Sequence, residues 1–176
     1  MEEKKKFFTV KRITKDAVML ALICLVGMFS IPLGANIKVS LQLLVVFLIC
    51  LTAESVIDCL FITSLYLLIG LFLPIYAGFN AGISPTFGYV IGFIIASPAI
   101  YFLNKLPFNK IFRALIACFV GLIICYIAGT LFMMFYLHLE LSKTLIISVI
   151  PYIPFDIAKI IIAILIIHLL PKSIYR

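Results

Sequence analysis

Ala-Leu-Ile-Ala-Cys-Phe-Val-Gly-Leu-Ile-Ile-Cys-Tyr-Ile-Ala-Gly-Thr-Leu-Phe-Met-Met-Phe-Tyr-Leu, residues Ala114 to Leu137, carries no charged side chain in 24 positions. A bilayer core about 30 Å thick needs about 20 apolar residues per helix, within a range of about 17 to 25. This run therefore reads as a membrane-spanning helix, and the rest of the chain repeats its character. Of 176 residues, 65% are apolar and 12% charged, the mean hydropathy is +1.31, and there is no tryptophan. Soluble domains run near half apolar and a quarter charged. That balance excludes a soluble enzyme and a disordered chain. It also excludes a nucleic-acid binder despite the net charge of +7, because the cations fall mostly outside the apolar runs instead of forming one basic surface.

Working outward, six spans are expected in a single domain covering residues 1–176, preceded by a short basic segment of about residues 1–15. They run from about Asp16 to Ile31, Leu41 to Val56, Cys59 to Leu73, Phe87 to Leu103, Ala114 to Leu137 and Phe155 to Leu170. A short apolar piece, Leu145 to Ile150, leads into the last. Prolines and glycines punctuate them: Pro32 and Gly34, Pro74, Pro85 and Pro107, Pro154 and Pro171. A polar notch of Glu54, Ser55 and Asp58 separates the second span from the third and is expected at the aqueous boundary. Such a chain is too short for the paired halves of a full-size secondary transporter.

Cations fix the orientation. With both termini in the cytoplasm, the inner segments hold Lys4, Lys5, Lys6, Lys11, Arg12, Lys15, Lys105, Lys110, Arg113, Lys172 and Arg176, eleven of the fourteen cations. Lys38 and Lys143 fall outside, and Lys159 lies within the last span. A basic stretch before an apolar run also fits a signal peptide, but no small-x-small cleavage site follows it. The first span is therefore expected to remain.

Charge within a span is informative because it costs roughly 2.5 to 3.5 kcal/mol near the bilayer centre. Asp156 and Lys159 stand out in Pro151-Tyr-Ile-Pro-Phe-Asp-Ile-Ala-Lys159. Three apart on a helix, they are neighbours on one face and can neutralise each other. A structural ion pair near a helix start would use the same spacing. Their outer half-span is shared by Ser40 and Gln42 at the start of the second span, Asn80 in the loop before the fourth, and Tyr89 near that span's outer end. Few convergent polar groups on apolar walls are what a ligand cavity requires. The loop from Tyr76 to Tyr89, rich in glycine and aromatics, fits either a ligand contact or an interfacial turn. Gly88-x-x-x-Gly92 reads as a helix-packing contact, and Ala17-x-x-x-Ala21 lets another helix approach closely.

Cys24, Cys50, Cys59, Cys118 and Cys125 form no Cys-x-x-Cys or Cys/His pattern and read as lipid-compatible side chains. His138 and His168 are isolated near span ends. No metal site and no cofactor are expected. The chain has no Gly-x-x-x-x-Gly-Lys-Ser/Thr nucleotide loop, no His-Glu-x-x-His and no Ser/His/Asp set on one side of the membrane. Energy for uphill transport must then come from another subunit or an ion gradient.

Together, Ala17-x-x-x-Ala21, Ser40-Leu-Gln42, Ser84-Pro-Thr-Phe-Gly-Tyr89 and Pro154-Phe-Asp156-x-x-Lys159, set on six spans with both ends inside, resemble the BioY family. These are the biotin-binding S components of energy-coupling factor (ECF) transporters. The resemblance runs from about Thr14 to Pro171; it departs at Ser40, where the family usually has threonine, and in a loop with fewer glycines than many members. It implies an all-α S-component bundle in a prokaryotic plasma membrane, not an enzyme, that captures biotin at the outer face and topples to release it inside. The implied partners are the coupling protein EcfT, two cytoplasmic ECF ATPases and the lipid bilayer, with no nucleic acid. It implies substrate contacts from Gln42, Asn80, Tyr89, Asp156 and Lys159, and docking of the coupling protein on Ala17 and Ala21. Biotin offers two ureido N–H donors, which a carboxylate accepts with charge assistance, and a terminal carboxylate. Lys159 would either attract that carboxylate or hold Asp156 ionised. The rival readings are an S component for another vitamin, a membrane-embedded enzyme using Asp156, and a scaffold or channel subunit.

Overall fold

The charge-free run sits inside the longest helix of the computed structural model, which describes residues 9–32 and 38–170. In chain order the elements are α1 (Val10–Met28), β1 (Ser30–Pro32), β2 (Lys38–Ser40), α2 (Gln42–Thr52), α3 (Val56–Phe72), α4 (Phe87–Leu103) and α5 (Lys110–Leu137). Then come α6 (Leu141–Ser148), a 3-10 turn (Ile150–Tyr152) and α7 (Ile153–Leu169). The short strands pair antiparallel with Ser30 opposite Ser40.

On α5 the fourfold row Leu115, Phe119, Ile123, Ile127, Leu131 and Phe135 is exposed, while Ala114, Cys118, Gly121, Cys125 and Gly129 are buried on the other side. The small face lets α4 approach closely. A Cβ at Gly88 would fall 2.3 Å from Phe132 Cβ, and one at Gly92 3.0 Å from the Cys125 Cα. Those two glycines are thus the packing contact that their spacing implied. The outward row of large apolar side chains suits hydrocarbon, not water. By length and composition α5 and the Leu141–Leu169 segment are long and apolar enough to cross a membrane, and α2, α3 and α4 are shorter apolar helices.

Nine of the eleven residues of α2 are buried, so it is the central helix, apolar all round and enclosed by its neighbours. Cys50, Cys59, Cys118 and Cys125 pack in the same core as free thiols. At one end of the bundle, hydrogen bonds tie the start of α1, the α2–α3 turn, the end of α4, the start of α5 and the end of α7. Arg12 meets Asp58, Tyr101 Oη donates to the Glu54 carbonyl (3.0 Å), Asn104 Nδ2 to Leu51 (3.2 Å) and Lys110 Nζ to Ile167 (3.2 Å). Six alternating passes produce that meeting, with α6, the 3-10 turn and α7 forming the sixth. This is the helical bundle expected from the sequence, with the short β1–β2 pair as an unexpected addition.

Several boundaries differ from expectation. Helix α1 starts at Val10, so Lys11, Arg12 and Lys15 are helical, and it stops at Met28 as the chain enters β1. Helix α2 ends at Thr52 because Ala53 is extended and Ser55 already caps α3, its hydroxyl accepting from Ile57 N and Asp58 closing the box on the Ser55 N–H. Asp58 is buried (5% exposed) at that end of the bundle, whereas Glu54, its neighbour in the notch, is exposed. Helix α5 starts four residues early, its first turn capped by Asn109 Oδ1 on Ile111 N (3.2 Å). The last pass is broken where Pro151 and Pro154 cannot donate, and each sits at a helix start that tolerates it. Lys4, Lys5, Lys6, Gly34, Pro171, Lys172 and Arg176 lie outside the described residues.

Candidate ligand-binding site

An 11-residue helix is about 16 Å long and reaches about halfway through a bilayer core. The N-terminus of α2 consequently ends inside the bundle, and a cavity opens above it at the end opposite the tied cations. Its walls come from β2 and α2 (Ser40, Gln42), the loop before α4 (Tyr76, Thr86), α4 (Tyr89, Phe93), α5 (Cys125, Tyr126) and α7 (Asp156, Lys159).

On the first two turns of α7, Asp156 and Lys159 are 4% and 6% exposed, with Nζ donating to Oδ1 at 2.6 Å. The other carboxylate oxygen, Oδ2, accepts from the Tyr126 hydroxyl of α5 at 2.6 Å. A buried pair recovers its desolvation cost only when its remaining lone pairs are also satisfied. Tyr126 satisfies one of them and joins α5 to α7 in the cavity wall. Every carboxylate oxygen keeps a second lone pair for a further donor.

Gln42 heads α2 and is buried; Ser40 Oγ donates to its Oε1 (3.1 Å), and its Nε2 donates to Tyr66 Oη, which donates in turn to the Ile75 carbonyl (3.1 Å). The amide is fixed in direction by both neighbours. Tyr89 donates its hydroxyl to the Ser148 carbonyl at the end of α6, and the Ser148 hydroxyl meets Thr130 Oγ1 at 3.2 Å. A Cβ at Gly129 would sit 2.5 Å from the Tyr89 ring, so only glycine admits the ring there. Tyr89 thus acts as a strut between α4, α5 and α6 and offers its ring to the cavity. Tyr76 is buried, edge-on to Tyr66 (centroids 5.6 Å) and Phe87 (6.2 Å).

Four of the five expected contact residues, Gln42, Tyr89, Asp156 and Lys159, therefore line one cavity. Asn80 does not. It is exposed and donates Nδ2 to the Ala77 carbonyl (2.7 Å), closing a tight turn in which Gly78 and Phe79 have φ of 76° and 57°. That bond uses one of the two N–H donors of the amide. That turn is pinned by Gly78 N donating to the Met28 carbonyl (3.0 Å) at the end of α1. Ala17 and Ala21 are exposed on α1, away from the cavity. Tyr126, Tyr76 and Ser148 were not singled out from the sequence. A tyrosine hydroxyl in the middle of the longest apolar run was the signal for Tyr126.

A family model described as the BioY family matches residues 1–176. The chain is 31% identical over 163 residues to the biotin transporter BioY of Thermotoga maritima, covering 89% of this chain and 94% of that one. It is 29% identical over 153 residues to the biotin transporter BioY2 of Lactococcus lactis subsp. cremoris, covering 84% and 82%. Among solved structures it matches a crystal structure of the S-component for biotin from an ECF-type ABC transporter, with a TM-score of 0.80, 25% identity and full coverage of both chains.

Proposed function

Because the chain belongs to the BioY family, we propose that it is the membrane-embedded S component that captures biotin at the outer face for ATP-driven uptake. The cavity end faces outward in this reading, and the cation-rich end, with Arg12, Lys15, Lys105 and Lys110, faces the cytoplasm. Six passes then cross a prokaryotic plasma membrane. The coupling protein EcfT and two cytoplasmic ECF ATPases complete the transporter, and ATP hydrolysis belongs to them.

The observation that carries the ligand assignment is the buried Asp156–Lys159 pair with Tyr126 on its other oxygen. Two donors already orient the carboxylate, so an entering ureido N–H meets an acceptor with little left to reorganise. A charge-assisted hydrogen bond of this type contributes about 1.5 to 3 kcal/mol. Lys159 pairs with Asp156 in this arrangement and holds the carboxylate in place. The Gln42 amide supplies further donor and acceptor atoms, and Tyr76, Phe93 and the Tyr89 ring offer apolar surface to the sulfur-containing ring.

Calorimetric titration of the detergent-purified chain is expected to give saturable, one-to-one biotin binding without ATP or any partner, since every proposed contact lies within this chain. Absence of saturable heat with biotin, together with clear binding of another vitamin, would overturn the ligand assignment. Tyr126→Phe keeps the ring and removes the donor to Asp156. It is expected to weaken biotin binding by about 1 kcal/mol, the usual worth of one hydrogen bond, roughly fivefold. In an Asp156→Asn background the same change should have less effect, because the two residues act through one contact. Full additivity of the two losses would show that Tyr126 does not work through Asp156.

A further inference from the structure

At the end opposite the cavity, the polar notch of the α2–α3 turn meets α1 through a second ion pair. Both carboxylate oxygens of Asp58 accept from Arg12 Nε, at 3.0 and 3.1 Å, and Oδ1 also accepts from Nη2. The Asp58 side chain is 5% exposed and that of Arg12 13%. Asp58 Oδ2 accepts the Ser55 N–H as well (3.0 Å), so the ion pair is built onto the cap of α3. One turn along α1, Lys15 Nζ donates to the Thr52 carbonyl at the end of α2.

Apolar packing of α1 on the core begins only at Met19, Leu20 and Leu22, which are partly buried, past its first two turns. Its buried residues are Ile23 and Gly27, both in its outer half, and Val10, Ile13, Ala17, Val18 and Ala21 are exposed. At roughly 100° per residue, Arg12 and Lys15 lie about 140° and 160° around the helix from Ala17. The two cations grip the bundle from the face opposite the alanines. A pair of apolar residues would hold the helix at no desolvation cost. What the bidentate fork adds is a fixed angle.

We infer that the Arg12–Asp58 pair is a positioning device for coupling. It sets the rotation of the inner half of α1 so that the Ala17/Ala21 face is presented to the coupling protein, and it has no part in holding the ligand. This rests on the S-component reading above. The pair and the cavity lie at opposite ends, which makes the two roles separable.

The test compares Arg12→Gln, Arg12→Lys and the double variant Arg12→Gln/Asp58→Asn with the parent chain, co-expressed with an ECF module. Three quantities are measured: biotin uptake by cells, recovery of the coupling protein with the tagged S component, and biotin Kd of the isolated, purified subunit. Arg12→Gln is expected to lower uptake and recovery at least tenfold while Kd stays within twofold. Arg12→Lys, which keeps the charge and loses the fork, should fall between them. The double variant leaves no unpaired buried charge, so it separates loss of positioning from loss of folding; it too should bind biotin and fail to couple. Uptake and recovery within twofold of the parent in both Gln-containing variants would overturn the inference. So would loss of biotin binding in both, which would make the pair a support of the whole bundle. Should the parent itself neither bind biotin nor support uptake, the S-component reading falls; an active parent with active variants removes only the role of the pair.

Discussion

Asp156→Asn is expected to weaken biotin binding by at least about 1.5 kcal/mol, the lower figure for a hydrogen bond to a charged group, which is at least tenfold in Kd. The substitution keeps shape and removes charge. Tyr126 can still donate to the remaining amide oxygen, but the amide nitrogen now points a donor at whichever partner had faced the other carboxylate oxygen. Lys159, 6% exposed and bonded to Asp156 at 2.6 Å, loses its counter-charge. An uncompensated buried cation destabilises the site more than a missing hydrogen bond does, with losses of about 3 to 5 kcal/mol when one member of a buried pair is removed. The loss in affinity should therefore exceed that of Tyr126→Phe, which leaves the ion pair intact. Titration of the purified variant, with its thermal unfolding measured alongside, checks the expectation. A folded variant that binds biotin as the parent does would show that the ureido group is held elsewhere. Lys159→Ala is a poorer probe, because it leaves the carboxylate buried without its cation.

Asp156 and Lys159 were legible in the sequence for the reason that makes their loss costly: charge inside an apolar span has no cheap explanation. Tyr126 carries no such mark. Its ring is at home in hydrocarbon, and only the fold shows that its hydroxyl reaches 30 residues along the chain to Asp156. Asn80 was read from a glycine-rich loop, and what that pattern could not show is its setting: the left-handed Gly78 and Phe79 close a turn in which its Nδ2 donates to the Ala77 carbonyl. Helix α4 matched its expected limits, Phe87 and Leu103, because its start falls just after Pro85 and its end just before the polar Asn104-Lys105. The second span was read too long, because hydropathy runs on through Ala53 where the backbone has already turned extended. Ser55 and Asp58 were noticed as polar residues, and their spacing is that of a capping box. Read as a helix start, they would have placed the boundary. Its bond to Arg12, 46 residues away, is tertiary and leaves no trace in local pattern.

Ala17→Trp and Ala21→Trp are expected to abolish ATP-driven uptake while leaving biotin binding by the isolated subunit unchanged. Both alanines are exposed on α1, one turn apart, and the grips of that helix, Arg12 and Lys15, face the other way. Neither alanine fills space within the bundle, so an indole at either position points away from the chain's own core. What it obstructs is the approach of a second helix, which in a membrane depends on small residues that let two backbones come close. Apolar helices gain little from leaving lipid for each other, so packing carries most of their association, and a side chain that holds them apart removes most of the contact. The ligand cavity, built from the first turns of α7 and α2 with α4 and α5, lies at the far end of the bundle. Uptake by cells carrying the ECF module, set against titration of the purified variants, separates the outcomes. Loss of both activities in a folded variant would place the alanines in the support of the cavity, and undiminished uptake would put the coupling protein on another face.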